Sequence, residues 1–147
     1  MKKEQQELQL VNSNQAQRLK KLGFDWNTYY CYHSIETYRV FTYNDLGIFG
    51  VDKENKNNLP FIDFNNAIDW YDNVKIYSAP TVAFALKWIR EVRSITAYVS
   101  SVVPKRWKYY IWDNDEWKQY LGNYFDTYED AESALLDELL NILEKEL

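Results

Sequence analysis

The chain has 147 residues, a net charge of −5 and a single cysteine, Cys31. That length supports one domain with a continuous core, and 46% hydrophobic against 27% charged residues is far from the composition of a disordered chain. A lone thiol excludes a disulfide-built fold, and no apolar run reaches signal-peptide or membrane-span length, so a soluble cytoplasmic protein is expected.

Six Trp, thirteen Tyr and seven Phe are the compositional oddity. Large rings suit sheets and interfaces, where each covers much area and Tyr or Trp keeps a polar handle. Charge is segregated as well. Residues 75–110 carry seven basic side chains and one acidic, whereas residues 127–147 carry one basic and seven acidic. Such blocks bear on association and solubility rather than on fold.

Residues 1–11 are expected to fray, leaving 12–147 as a single α+β domain with two sub-halves, 12–76 and 77–147. Asn12 is a predicted N-cap with Gln15 as its capping-box partner. Ala16, Leu19 and Leu22 follow at helical spacing, and Gly23 supplies the stop. From Phe24 the pattern turns to β, with strands predicted near 28–34, 37–43 and 46–51. Residues 52–60 read as loop, and 61–76 hold either a short strand or a turn.

The stretch "YSAPTVAFALKWIREVRSI" (77–95) predicts a helix from Thr81, with Ser78 as cap and Pro80 in the first turn. At 100° per residue, Val82, Phe84, Ala85, Leu86, Trp88, Ile89 and Val92 sweep an arc of roughly 200°, wider than one sheet needs. Only Ala83, Lys87, Arg90 and Glu91 are left for water, and the helix is expected to end near Arg93. Strands follow at Ile95–Val103, Trp107–Trp112 and Trp117–Tyr124, with "DNDE" as a turn. Alternation places Trp107, Tyr109 and Ile111 on one face, and Lys108, Tyr110 and Trp112 on the other.

Thr127 then caps a long amphipathic helix, with Asp130 at the capping-box position and acids in the first turn. Ala131, Leu135, Leu136, Leu139, Ile142 and Leu143 form its core face, and Glu129, Asp130, Asp137 and Glu144 line the opposite side. The expected order is α-β-β-(β)-α-β-β-β-α with antiparallel strands, an α+β fold.

Motifs for chemistry are few. Four glycines make no phosphate loop and no dinucleotide fingerprint. Cys31 and His33, the one thiol and the one imidazole, share a strand face, but two ligands are half of a structural zinc site and no third group orients the ring. "DNDEW" (113–117) has acids at the first and third positions of a calcium loop, with Lys118 where glycine is required. Asp52 and Glu54 form a similar weak pair. No cofactor, metal or catalytic residue is assigned, and a non-enzymatic protein is expected.

Residues 81–146 run in the order of a double-stranded RNA-binding domain. That fold meets phosphates with basic residues at the start of its last helix, where this chain has "TYEDAE". "GNYFDTYEDAESALL" also resembles the sheet-to-helix joint of phage-integrase arm-binding domains, again with acid in place of base. Nucleic acid is therefore the disfavoured partner.

Three blocks, "NQAQRLKKLGF", "APTVAFALKWIRE" and "YFDTYEDAESALLDELLNIL", resemble in order a group of small uncharacterised proteins of phages, prophages and gut-type bacterial genomes. Residues 24–76 are unmatched. The resemblance implies no activity and no catalytic residue. The sequence thus leads to an accessory protein that binds another protein, with Trp112, Trp117, Tyr120, Lys87 and Arg90 as its contact residues. Two alternatives are an acidic inhibitor or nucleic-acid mimic acting through Glu129, Asp130, Asp137 and Glu144, and a small enzyme whose site gathers Cys31, His33 or several acids.

Overall fold

The computed structural model describes residues 9–34, 39–42, 63–66, 75–113, 116–119 and 124–147. Nine elements run in the order α1 (Ser13–Lys21), β1 (Tyr30–His33), β2 (Val40–Thr42), β3 (Ile76–Ala79), α2 (Val82–Val92), β4 (Thr96–Val103), β5 (Arg106–Asp113), β6 (Glu116–Gln119) and α3 (Tyr128–Glu144). The fold is α+β with antiparallel strands and a long closing helix. Two three-stranded sheets have the orders β2-β1-β3 and β4-β5-β6. Among the described residues no helix is long and apolar enough to cross a membrane.

The elements fall into two compact units, each discontinuous in sequence. One joins residues 12–80 to 140–147, the other joins residues 1–11 to 81–139. The predicted sub-halves meet close to this division, but the two chain ends exchange sides.

In the unit containing residues 12–80, α1 follows its sequence closely. Asn12 Oδ1 accepts from the Gln15 N–H at 2.8 Å, and Gln15 Oε1 accepts from the Asn12 N–H at 3.0 Å, the reciprocal capping box. At the other end Gly23 has φ +89°, the Gly23 N–H donates to the Lys20 carbonyl, and the Phe24 N–H donates to that of Leu19. This is a Schellman stop, with the buried pair Leu19 and Phe24 at its hydrophobic positions.

β1 is central and has three of its four residues buried, so both its faces are covered. Cys31 and His33 lie within that core, and the His33 ring is 5.8 Å from the Phe41 ring. Arg18 leaves α1 to bond Glu144 Oε1 at 2.5 Å and Asn141 Oδ1 at 2.6 Å.

β3 differs from expectation. Ser78 does not cap a helix; it sits in the strand, opposite Cys31. A strand of four residues directly before proline leaves no period to read. Its amide is met by Asn65: the Ser78 N–H donates to Asn65 Oδ1 at 2.8 Å, and the Asn65 N–H donates to Ser78 Oγ at 3.2 Å. Asn65 Nδ2 also donates to the Phe24 carbonyl at 2.8 Å. The buried amide thus satisfies a strand edge and the exit of α1 together, a device that keeps the edge from pairing elsewhere.

In the other unit Thr81 is the N-cap, its Oγ1 accepting from the Phe84 N–H, so Pro80 precedes the helix rather than opening it. Residues 9–11, expected to fray, are held here. Leu10 bridges Thr81, the Gln9 carbonyl accepts the otherwise orphaned Val82 N–H, and Val11 is fully buried. Residues 1–8 lie outside the described residues.

Around α2 the burial is graded. Val82, Ala85, Trp88 and Ile89 are buried over an arc of roughly 120°, with Phe84 and Leu86 half-buried on its two margins. Ala83, Lys87, Arg90 and Glu91 are exposed, as the pattern predicts. Val92 departs from it, 51% exposed in the last turn, where the helix stops at the Arg93 C-cap. Ser94 follows at φ +57°, the position that Gly23 fills after α1.

The predicted strands of the second sheet shift by a residue or two. Val103 and Arg106 close a two-residue hairpin over Pro104 and Lys105, with Lys105 at φ +64°. Asp113 opposes Glu116 at the end of the β5–β6 register, where a turn is predicted, and Asn114 and Asp115 lie outside the described residues. Past Gln119 the strand predicted to reach Tyr124 runs outside the described residues, and Phe125 makes an isolated bridge to Trp107. The strand predicted at 46–51, the loop 52–60 with Asp52 and Glu54, and most of 61–76 also lie outside. Thr127 Oγ1 caps α3 by accepting from the Asp130 N–H at 3.1 Å. Ala131, Leu135, Leu136, Leu139, Leu140 and Leu143 are its buried face, and Ile142 is only half-buried.

Two substitutions test these backbone positions. A Cβ at Gly23 would meet no atom within 4 Å, so Gly23→Ala carries only the cost of the left-handed φ. Its stability should fall by about 1 kcal/mol in urea unfolding, and Ser94→Gly should raise it by a similar amount. Asn65→Ala should cost about 2 kcal/mol by taking the side-chain partner from the buried Ser78 N–H and from the Phe24 carbonyl, and the Ser78 amide should exchange markedly faster with solvent.

Candidate functional site

The second sheet is two-sided, and its register sorts the side chains. Thr96 opposes Trp112, Tyr98 opposes Tyr110, and Ser100 opposes Lys108, all on one face; Ala97, Val99, Tyr109 and Ile111 belong to the other. Tyr109 and Ile111 are buried, and on their side Trp107 meets Tyr128 of α3 edge-on, with centroids 5.3 Å apart.

The opposite face is aromatic and basic. Tyr98 and Tyr110 stack with centroids 5.1 Å apart and planes 22° from parallel, and Tyr98 is 46% exposed. Trp112, next along β5, is half-buried. At the other end Lys108 Nζ lies 4.4 Å, and the Arg106 guanidinium 5.7 Å, from the centre of the exposed Tyr124 ring. Each such contact contributes roughly 0.5–1 kcal/mol at an exposed site and fixes where the cation stands. No acidic residue shares this face on β4 or β5.

A second feature is a half-open cleft of about 240 Å³ between α2, β4 and the start of α3. Ala83, Leu86, Ala97, Val99 and Leu135 supply apolar wall, while Arg90, Tyr98, Tyr128 and Glu132 supply the polar groups. Glu132 is buried on the same helical face as Leu135, Leu136 and Leu139. Burial pushes its carboxyl above the ordinary range. Tyr128, donating to the carboxylate, pulls the value back, and the neighbouring Glu129 charge pushes it further up. Burial and the same acids raise the Tyr128 hydroxyl.

The residues singled out in the sequence are distributed unevenly over these features. Trp112 stands on the aromatic face, and Trp117 opposes it in the β5–β6 register. Tyr120 lies outside the described residues. Lys87 and Arg90 are exposed on α2; Lys87 pairs with Glu91 at 3.7 Å, whereas Arg90 lines the cleft.

The four acids of the proposed row differ in exposure. Glu129 and Asp130 are exposed, but Asp137 is half-buried and engaged, and Glu144 is held by Arg18. Among the described residues no three His, Cys, Asp or Glu side chains gather as metal ligands.

The sequence reading passed over Tyr98 and Glu132. Tyr98 matters because β4 folds against β5, a pairing that alternation alone does not register. Glu132 was visible in principle, as a carboxylate inside the apolar stripe of α3.

Because its folded value is raised, Glu132 stabilises the fold when protonated, and that contribution is lost as pH rises from 4.5 through the folded value. Glu132→Gln should therefore melt at a higher temperature than the native chain at pH 7, and the gap should close below pH 4.5 in a pH series of thermal midpoints. Comparison with known proteins returns no match among family models, curated proteins or solved structures.

Proposed function

We propose that this is a non-enzymatic binding protein of phage or mobile-element type, which engages an acidic segment of another protein through the aromatic face of the β4-β5-β6 sheet. The observation that carries the proposal is the Tyr98–Tyr110 stack standing open beside Lys108 and Arg106. Tyr, Trp and Arg are the residues that anchor protein interfaces, because they bury large area at small entropic cost and keep a polar end. Preset cations favour a partner of opposite charge and speed its approach.

The acidic start of α3, with Asp126, Glu129 and Asp130 exposed, works against a phosphate backbone at that end of the unit. The inhibitor or mimic alternative draws no support from geometry, since two of its four acids are already engaged.

A photo-crosslinking residue at position 110, with one at exposed position 83 as control, tests the surface. Crosslinks should form at 110 and be lost with Lys108→Glu. The captured protein, once purified, should bind the native chain at least tenfold more tightly than Tyr98→Ala/Tyr110→Ala, a difference of about 1.4 kcal/mol. Its contact segment should be acidic, and binding should weaken as salt rises. Equal crosslinking at 83 and 110, capture of nucleic acid, or affinity unchanged by the double substitution would overturn the proposal.

A further inference from the structure

We infer that the cleft between α2, β4 and α3 is a binding site for a small zwitterion, an ω-amino acid in chemical class, with its ammonium group at Glu132 and its carboxylate at Arg90. Three observations carry this.

The first is the isolation of the carboxylate. Glu132 is 9% exposed and lines the cleft, yet among the described residues it forms no ion pair; Tyr128 donates to it and the Glu129 charge stands near. A buried carboxylate without a cation is costly, and it is the arrangement that a cationic ligand relieves. The Glu129 charge adds to the negative potential there.

The second is Arg90. It is exposed, and it forms no hydrogen bond or ion pair among the described residues, while the neighbouring Glu91 is paired with Lys87. Arg90 lines the same cleft, yet no ion pair joins it to Glu132 among the described residues, so the two charges are not in contact within it. Separated opposite charges select against a dianion, which Glu132 repels, and against a dication, which Arg90 repels. A guanidinium also offers the fork that matches a carboxylate.

The third is size and wall. About 240 Å³ lies below the roughly 300–1,000 Å³ of sites that hold drug-sized ligands, and Leu86, Val99 and Leu135 give it apolar wall beside the two charged groups. A short methylene chain with charged ends matches that profile. Tyr98 borders the cleft as well as the sheet face, but the charges that define this site are Arg90 and Glu132. Arg90→Ala therefore tests it apart from the Tyr98→Ala/Tyr110→Ala substitution that tests the sheet face.

The test is an amide NMR titration of the full chain with glycine, 4-aminobutyrate and 6-aminohexanoate, with n-butylamine and butyrate as single-charge probes. At least one ω-amino acid should shift the amides of Arg90, Val99 and Glu132, and bind at least tenfold more tightly than either single-charge probe. Glu132→Gln and Arg90→Ala should each weaken it tenfold or more while the remaining spectrum is preserved. Arg90 is exposed, so its variant decides the matter even if Glu132→Gln alters the fold. The site is refuted if no ω-amino acid perturbs these amides, if butylamine or butyrate binds as well, or if Arg90→Ala leaves affinity unchanged.

Discussion

Trp88 sets the orientation of α2, and much of the unit around it follows. Its side chain lies at the edge of a buried stripe with Val82, Ala85 and Ile89, and it is 2% exposed. Few side chains lose more on exposure than a buried tryptophan, so the rotation of the helix about its axis has little freedom. With that stripe inward, Lys87, Arg90 and Glu91 must face water, and Arg90 reaches the cleft beside β4. The basic residues on α2 are thus a remainder left by packing, and one of that remainder is placed where it meets a cavity. The helix start is fixed as firmly, by Thr81 from within and by the Gln9 carbonyl from a distant part of the chain.

What the sequence disclosed and what it hid divide along a physical line. α1 was legible because every determinant is local: Asn12 and Gln15 cap each other, and Gly23 ends the helix. The exposed strip of α2 and the leucine face of α3 follow from a period of 3.6, also local. Strand β3 was not legible, since Ile76–Ala79 is defined by pairing with β1, more than forty residues earlier, and its edge by Asn65. Residues 9–11 were misjudged for the same reason, their partners being Thr81 and Val82. At Ser94 and Lys105 the backbone takes the left-handed region without glycine, so the usual punctuation is missing. Of the candidate site, Lys108, Tyr110 and Trp112 were correctly grouped by alternation, but Tyr98 required the β4–β5 register.

The two features of this unit use opposite physics. On the open sheet face, cations stand over Tyr124 in high dielectric, where each contact is weak and the value lies in many rings presented together. In the cleft a single carboxylate is withdrawn from water, so one charge carries most of the energetics. A surface of the first kind suits a large partner with a forgiving footprint. A pocket of the second kind discriminates among small molecules, because a charge of the wrong sign beside a buried carboxylate is repelled where water screens it less.

The discontinuity of both units has a consequence for how the protein is made. A ribosome releases the chain from the N-terminus, at roughly 5–20 residues per second. Residues 12–80 emerge first, yet their unit includes 140–147 and closes only when those appear. The unit of residues 1–11 and 81–139 has all its parts once Leu139 is free. Residues 12–80 therefore leave the ribosome ahead of a part of their own unit, and strands β1 and β2 are nascent chain without that part until the end of α3 is made.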